Sequence, residues 1–192
     1  MCAYGERAYK CMVQKVKGEN MVNIGVLSKA EQEKYYDDIL NMLILGDEEF
    51  VPPLSSRSGT SQSDLKSNKK SEGGVVAYFE ELKKQRILVT TENDKLLGFV
   101  SFKENYTNDI IKDTPNIYIS TLLIKPEGRG KSLTKRMYEI LFSEYKDANA
   151  FTRTWSTNYA HIKILSSFGF ETIKVLKNDR GDGIDTIYFG KR

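Results

Sequence analysis

The sequence predicts an α/β protein of the layered α+β type, in which helices cover a mixed sheet. Apolar segments with strand character are interspersed with amphipathic segments of helical period. Segment 116–125, NIYISTLLIK, is long and carries few charges, which is typical of a strand buried at the centre of a sheet. The 192 residues suffice for one domain with a proper core. We therefore expect a sheet of about six to seven strands flanked by about four helices.

The first half of the chain begins its regular structure with a strand at 23–27. Ser28 opens a predicted capping box and a helix that continues through about Leu45. Segment 47–73 is rich in Ser and Lys and has no sustained period, so we predict a long loop there. A second helix is predicted over 75–85.

The second half alternates strands and helices around the central strand. The Asn93-Asp94 pair is a hairpin signal between two apolar segments, and Gly169 is a plausible helix stop. The predicted strands are 86–92, 95–104, 116–125, 150–156, 170–176 and 183–191, and the predicted helices are 131–146 and 158–168.

Composition excludes several classes of function. Cys2 and Cys11 suggest neither a disulfide framework nor a metal site, so a cytoplasmic protein is expected. The single histidine argues against His-based metal sites, and we predict no metal. No apolar run approaches the roughly 18 residues of a membrane span. The net charge of +3 is too weak to favour nucleic acid as a partner.

The first twenty residues are predicted to be an N-terminal extension, and the sequence leaves open whether it is native. KGEN before Met21 could be encoded by AAA GGA GAA AAT, which holds a GGAG ribosome-binding site at the usual spacing from a start codon. Our hypothesis is that translation starts at Met21, and the alternative is a short genuine extension. In either case, 21–192 is predicted to be a single domain.

Residues 129–134, RGKSLT, follow an apolar strand and precede a predicted helix. The unpaired N–H groups and the dipole at a helix start favour an anion there. The GKS within this segment is also the tail of a nucleotide-binding P-loop, which requires a glycine five residues before its final glycine. That position is Lys125, followed by Pro126, and no later strand ends in an Asp that would share a magnesium ion. Nucleotide binding is therefore disfavoured.

The same loop resembles the acetyl-CoA motif of the GNAT superfamily of N-acetyltransferases. The motif reads [QR]-x-x-G-x-[GA] after L-x-V-x-P, and Arg129 matches its first position. Ser132 stands where Gly is usual, and Thr134 stands where Gly or Ala is usual. The order of predicted elements across 21–192 is also that of the GNAT fold, whose central strands splay apart.

A second segment, NYAHIKILSSFGF, is similar to the family's N-x-x-A-x-x-L-Y-x-K-x-G-F. Asn158 matches its first residue, and the closing Gly-Phe matches as well. Leu165 replaces the usual Tyr, and Ser167 replaces Lys. His161 replaces Ala, and we expect it to be exposed on its helix.

The resemblance implies acetyl-CoA as cosubstrate and direct transfer of the acetyl group to a primary amine. The backbone of the splayed strand would pair with pantetheine and polarise the thioester carbonyl. Gly130 would let the chain approach the pyrophosphate, and the Cβ of Ser132 is expected to be tolerated if its φ is helical. The implied cofactor-binding residues are Leu122, Leu123, Ile124, Arg129, Gly130, Lys131, Ser132, Leu133, Thr134 and Asn158.

Three residues are candidates for proton transfer. Tyr118 matches the position of a Glu base in some relatives, but a tyrosine is a poor base at neutral pH, so a water relay is favoured. Asp185 on the last strand is a second candidate base, although hairpin structure explains it better. Tyr188 is a candidate acid in place of the family's Tyr, unless solvent protonates the thiolate.

The acceptor cannot be identified from the sequence. In this family the acceptor site would involve loops 47–73 and 177–183, which mix acidic residues with Arg57 and Arg180. A small-molecule or peptide amine is expected, while lysine and aminoacyl-tRNA remain open. The alternative function is a GNAT-like module that binds acyl-CoA with weak turnover or none. The protein is expected to be a monomer or a homodimer.

Overall fold

The computed structural model describes residues 12–14, 22–62, 65 and 72–192, and one sheet runs through its centre. The strands are β1 Met12–Gln14, β2 Val22–Val26, β3 Arg86–Glu92, β4 Lys95–Glu104, β5 Asn116–Ile124, β6 Asn149–Trp155, β7 Glu171–Leu176 and β8 Thr186–Lys191. The helices are α1 Lys29–Glu33, α2 Tyr36–Leu45, α3 Gly74–Lys83, α4 Leu133–Glu144 and α5 Tyr159–Ser167. Short 3₁₀ turns lie at Asp47–Glu49, Leu54–Ser56 and Pro126–Gly128.

The strand order is β1-β2-β3-β4-β5-β6-β8-β7, and every neighbouring pair is antiparallel except β5 and β6. The predicted mixed sheet is therefore confirmed. Strands β2 to β8 make up the predicted number, and β1 adds a further edge strand. The predicted translation start at Met21 lies outside the described residues, so that hypothesis stays a prediction.

Two apolar clusters cover the two faces of the sheet. One side of β3 contributes Leu88, which belongs to the cluster packed under α4 and α5. The other side contributes Ile87 and Val89, which belong to the cluster packed under α2 and α3. Because successive side chains of a strand alternate between faces, a strand covered by helices on both sides is apolar at nearly every position.

The parallel pair β5 and β6 separates partway along its length. It pairs only over Asn116–Ile119, and the hydroxyl of Thr152 donates to the carbonyl oxygen of Ile119 at 2.9 Å where the pairing ends. Just beyond, the register of β5 against β4 shifts, which leaves Ser120 as an extra, bulged residue. The predicted splay is thus confirmed, and it opens a cleft between the two strands.

Two predicted boundaries are wrong. The helix predicted up to Leu45 is two helices, because the N–H of Tyr35 bonds to the oxygen of Gln32 at 3.0 Å in a tight turn. The capping box at Ser28 is nevertheless present in full. The last strand begins at Thr186 rather than 183, since Gly183 has φ +76° within the preceding turn.

Within the described ranges, none of the helices has the length and apolar character needed to cross a bilayer.

Candidate functional site

A cavity of about 270 Å³ lies where β5 and β6 diverge. The ends of β5 and β6, the start of α4, the first turns of α5 and three loop segments form its walls. Leu122, Leu123, Ile124, Arg129, Thr134 and Asn158 all line it. Six of the predicted cofactor-binding residues therefore share one cavity, although they come from β5, the loop before α4, α4 itself and the start of α5.

The end of β5 exposes its backbone to this cavity. The N–H of Lys125 donates to the oxygen of Leu97 on the β4 side at 2.8 Å. Because backbone groups alternate along a strand, those of Leu122 and Ile124 point to the opposite side, where β6 has already diverged. The side chain of Arg129 confirms this direction, since its Nε donates to the oxygen of Ile124 at 3.2 Å. Leu122 thus presents an unpaired strand edge to a ligand.

The loop before α4 has two left-handed residues. Gly130 has φ +76°, and Ser132 has φ +57° and ψ +22°. The condition under which the Cβ of Ser132 was expected to be tolerated, a helical φ, is therefore not met. The predicted helix start at 131 is wrong, because α4 begins at Leu133. A non-glycine residue is strained in the left-handed region, which explains why the family pattern has Gly at this position.

The first turn of α4 offers backbone donors to an anion. Its first intrahelical bond runs from the N–H of Arg136 to the oxygen of Ser132 at 3.1 Å. The N–H groups of Leu133, Thr134 and Lys135 precede that bond, and the side chain of Ser132 does not cap them. This arrangement of donors with the helix dipole suits a phosphate group.

The two cations of the loop are half-exposed and already paired. The Nη2 of Arg129 donates to both carboxylate oxygens of Glu49 at 2.6 and 2.7 Å. The Nζ of Lys131 lies 3.2 and 3.3 Å from the two oxygens of Glu92. In this arrangement, the backbone rather than an unpaired cation provides the main attraction for an anion.

Asn158 caps α5 and lies on the cavity wall. Its Oδ1 accepts from the N–H of His161 at 3.3 Å, and its Nδ2 donates to the hydroxyl of Thr154 at 3.1 Å. These two hydrogen bonds hold the amide in one orientation. Its position is compatible with both predicted roles, as a helix cap and as a contact for pantetheine.

The expected exposure of His161 is wrong. It is half-buried, lines the cavity, and its Nε2 lies 2.7 Å from the hydroxyl of Tyr138 on α4. Burial lowers the pKa of His161 to about 4, so the imidazole is neutral at pH 7. Leu165, where the family has Tyr, is completely buried in the core. Consequently, α5 presents an imidazole rather than a phenol to the cavity.

The three candidates for proton transfer lie away from the cavity wall. Tyr118 is buried, stacks on Tyr106 at 4.6 Å between ring centroids, and has a pKa raised by burial. The hydroxyl of Tyr188 accepts from the Nη1 of Arg153 at 3.1 Å. Asp185 lies before β8, and its carboxylate accepts from Lys177, which lowers its pKa. Their catalytic roles stay predictions.

Three arginines at the other end of the cavity were not combined by sequence reasoning. Arg57, Arg153 and Arg180 all line it. Arg57 and Arg180 lie in the loops predicted for the acceptor, but nothing in the sequence indicated that they meet, and Arg153 carried no signal at all. Among the lining residues that the structure describes, Glu49 is the one carboxylate.

Among the described residues, no group of three His, Cys, Asp or Glu side chains is placed to hold a metal ion.

The chain is similar to known acetyltransferases in sequence pattern and in fold. The model of the acetyltransferase (GNAT) family matches residues 58–170. No curated protein matches the sequence. An N-acetyltransferase from Staphylococcus aureus Mu50 is similar in structure, with TM-score 0.59, 18% identity, and coverage of 88% of this chain and 97% of that one.

Two further solved structures are similar at the level of fold. The protein yncA of Salmonella typhimurium, solved with its cofactor acetyl-CoA, has TM-score 0.57 and 16% identity, covering 89% of this chain and 93% of its own. A ribosomal-protein-alanine N-acetyltransferase from Brucella melitensis has TM-score 0.61 and 14% identity, covering 88% and 98%.

Proposed function

The chain belongs to the acetyltransferase (GNAT) family, and from that premise we propose that it moves the acetyl group of acetyl-CoA directly to a primary amine. The observation that carries this proposal is one cavity that joins two kinds of backbone site. The unpaired edge of β5 at Leu122 belongs to it, and so does the first turn of α4 through Thr134. A long ligand with an amide-bearing arm and a phosphate end requires these two sites together.

The residues present fit acetyl-CoA. The N–H groups of Leu133, Thr134 and Lys135 suit a pyrophosphate, and Gly130 has open space where a side chain would be. The edge of β5 suits the amides of the pantetheine arm, and Asn158 on the opposite wall adds an amide group. Arg129 and Lys131 can exchange their carboxylate partners for phosphate oxygens, which form similar charge-assisted hydrogen bonds.

In the proposed reaction, acetyl-CoA supplies a thioester whose carbon–sulfur bond is exchanged for a carbon–nitrogen bond. The backbone N–H of Leu122 would donate to the thioester oxygen, where negative charge grows as the amine attacks. Solvent would protonate the leaving thiolate, because Leu165 offers no hydroxyl and a thiolate of pKa near ~8.5 is a tolerable leaving group. The proposal uses none of the three candidate residues for proton transfer.

A small-molecule or peptide amine as acceptor, a cytoplasmic location, and a monomeric or homodimeric protein all remain parts of this proposal. The second candidate function is an acyl-CoA-binding module with weak turnover or none. Two observations favour it: Leu165 replaces a phenol, and Glu49, the carboxylate among the described wall residues, is held by Arg129.

Calorimetry with acetyl-CoA, followed by thiol release over a panel of amines, separates the two functions. The proposed enzyme binds acetyl-CoA and releases thiol in the presence of at least one amine. Binding without release for any amine would favour the module. An absence of binding would contradict both.

A further inference from the structure

Three separate parts of the chain bring a guanidinium group to the same end of the cavity. Arg57 follows the turn Leu54–Ser56, Arg153 lies in β6, and Arg180 lies between β7 and β8. Arg57 is 6% exposed and Arg180 is 4% exposed, so these are not surface cations that happen to rim a cleft. Arginine side chains are rarely buried to this degree in proteins.

Two of the three side chains are held in place by hydrogen bonds and aromatic rings. The Nε and Nη2 of Arg57 donate to the oxygen of Pro52 at 3.0 and 2.7 Å. The Nε of Arg180 donates to the hydroxyl of Thr186 at 2.8 Å, and its Nη1 donates to the oxygen of Val51. Their guanidinium groups are therefore oriented before any ligand arrives.

The aromatic rings beneath them line the same cavity. The guanidinium of Arg57 lies 5.5 Å from the ring centroid of Phe50, and that of Arg180 lies 5.7 Å from the ring of Trp155. Phe50 and Trp155 are themselves neighbours, with ring centroids 6.2 Å apart. This end of the cavity thus combines positive charge with an apolar wall.

Two of the three guanidinium groups have no carboxylate in direct contact. Among the described residues, neither Arg153 nor Arg180 has a carboxylate oxygen within 4 Å, and the nearby carboxylate of Asp179 accepts from the hydroxyl of Thr186 at 2.6 Å. Burial, together with nearby Arg57 and Arg153, lowers the pKa of Arg180 to about 9. Holding these charges together costs free energy, which an anionic ligand would recover.

A purely structural role explains only part of this arrangement. Arg57 and Arg180 do tie loop carbonyls together, as a neutral donor could also do. Tying loops does not require three cations on the wall of one cavity. Recognition of a carboxylate or phosphonate does require such a convergence, because the planar fork of a guanidinium can donate to two oxygens of one such group.

We propose that the acceptor is a small amine that carries an oxyanion, of the class of an apolar α-amino acid, with its carboxylate bound by Arg57, Arg153 and Arg180. This inference rests on the proposed acetyl transfer and specifies its acceptor. The carbon skeleton of the acceptor packs on Phe50 and Trp155, and its amine faces the splay of β5 and β6. Polyamines and other polycations are repelled by the same groups.

The arginines also bear on the proton that the acceptor must lose. The ammonium of a free amino acid has a pKa between the ~8 of a chain's α-amino group and the ~10.4 of a lysine side chain, because its own carboxylate raises it. Guanidinium groups around that carboxylate offset its charge and lower the pKa of the bound ammonium. The ammonium therefore gives one proton to water, and the neutral nitrogen attacks the thioester carbon. The carbon–sulfur bond then breaks, the nitrogen gives a second proton to water, and the thiolate takes a proton from solvent. A dedicated carboxylate base is not required.

The test compares amines that share a carbon skeleton with and without the oxyanion, at equal concentrations of the neutral amine, because the ammonium groups of each pair differ in pKa. Thiol release from acetyl-CoA is measured with L-phenylalanine against phenethylamine, and with L-leucine against isopentylamine. We expect the amino acid to have a kcat/KM about 100-fold higher in at least one pair, since two or more charge-assisted hydrogen bonds are at stake. Spermidine and kanamycin serve as polycationic acceptors. Glycine and aminomethylphosphonate distinguish a carboxylate from a phosphonate as the preferred oxyanion.

Arg153→Gln tests the cluster with least risk to folding, because the one hydrogen bond described for this side chain is that to Tyr188. It should raise KM for the amino acid about tenfold or more and leave the KM for acetyl-CoA unchanged. Arg192→Gln is the matched control, since it removes the same charge from an exposed residue paired with Asp113. Arg153→Lys should restore part of the loss, because charge returns without the planar fork.

Turnover of the amines without an oxyanion, or of the polycations, at least as fast as that of the amino acids would overturn this inference and leave acetyl transfer standing. Binding of acetyl-CoA without turnover of any amine would overturn the proposed function, and this inference with it. Equal effects of Arg153→Gln and Arg192→Gln on the amino-acid KM would also overturn the inference.

Discussion

The two ends of the cavity use positive charge in opposite ways. At the end near α4, Arg129 and Lys131 are nearly half exposed, with 48% and 44% of their side-chain surface accessible, and each faces a carboxylate. At the other end, Arg57 and Arg180 are almost fully buried. The first end offers backbone amides of consecutive residues, whereas the second is assembled from three distant segments.

This difference indicates which end of the cavity would contribute affinity and which would contribute specificity. Exposed and paired cations contribute little to stability and can exchange partners when a ligand arrives. Buried guanidiniums are costly to place and hard to move, so they select a ligand rather than merely attract one. The proposed cofactor end is therefore adaptable, and the proposed acceptor end is preorganised.

Replacing one arginine from each end should give the largest difference in the free energy of unfolding. Arg180→Ala removes hydrogen bonds to Val51 and Thr186 in a buried place, and should lower the free energy of unfolding by about 2 to 3 kcal/mol. Arg129→Ala removes an exposed ion pair and should cost about 0.5 kcal/mol. Urea denaturation measures both. Equal losses for the two variants would contradict the contrast.

Valine at a glycine with a left-handed backbone conformation should strain the loop before α4 and the turn before β8 equally. Gly130 and Gly183 both have φ +76°, and a Cβ at either position would meet no atom within 4 Å. Each substitution should cost about 1 to 2 kcal/mol of stability. Gly130→Val alone should also raise the Kd of acetyl-CoA, about tenfold, because it displaces the amides before α4. Calorimetry that finds the same rise for Gly183→Val would place the phosphate site elsewhere.

Ser132 should respond to glycine in a way that separates strain from contact. Ser132→Gly relieves the left-handed φ of +57° and should raise Tm by about 1 to 3 °C, as measured by calorimetric melting. Ser132→Ala keeps the strain, removes the hydroxyl, and should leave Tm unchanged. If Ser132→Ala alone weakens acetyl-CoA binding, the hydroxyl contacts a phosphate. A lower Tm for Ser132→Gly would exclude strain at this position.

The smallest effect at neutral pH is expected at His161, between the two ends. It is the only histidine, so NMR titration reports it without overlap, and its midpoint should be near pH 4. Because the unfolded chain takes up this proton near pH ~6.5, the stabilisation is complete above that pH and is lost as the pH falls towards 4. His161→Gln should flatten this acid limb. A midpoint near 6.5 in the folded protein would refute the buried, neutral state.

Much of the cofactor end was predictable because its residues are close together in the chain. The strand, the turn and the helix around Arg129 follow from local apolar patterning and loop composition. Local reasoning failed at Ser132, because its left-handed φ is imposed by the chain reversal between the 3₁₀ turn at Pro126–Gly128 and α4. It also failed at His161, whose burial depends on packing against Tyr138 of another helix.

The sequence alone determined the order of strands and helices, the class of fold and the loop that suits a phosphate. These features depend on hydrophobic periodicity and on residues a few positions apart, so each segment contains the information by itself. Only the tertiary structure decided the opening of β5 from β6 after Ile119 and the meeting of Arg57, Arg153 and Arg180. Such features depend on pairings between residues some thirty to more than a hundred positions apart, and their geometry exists only once the sheet has set the register.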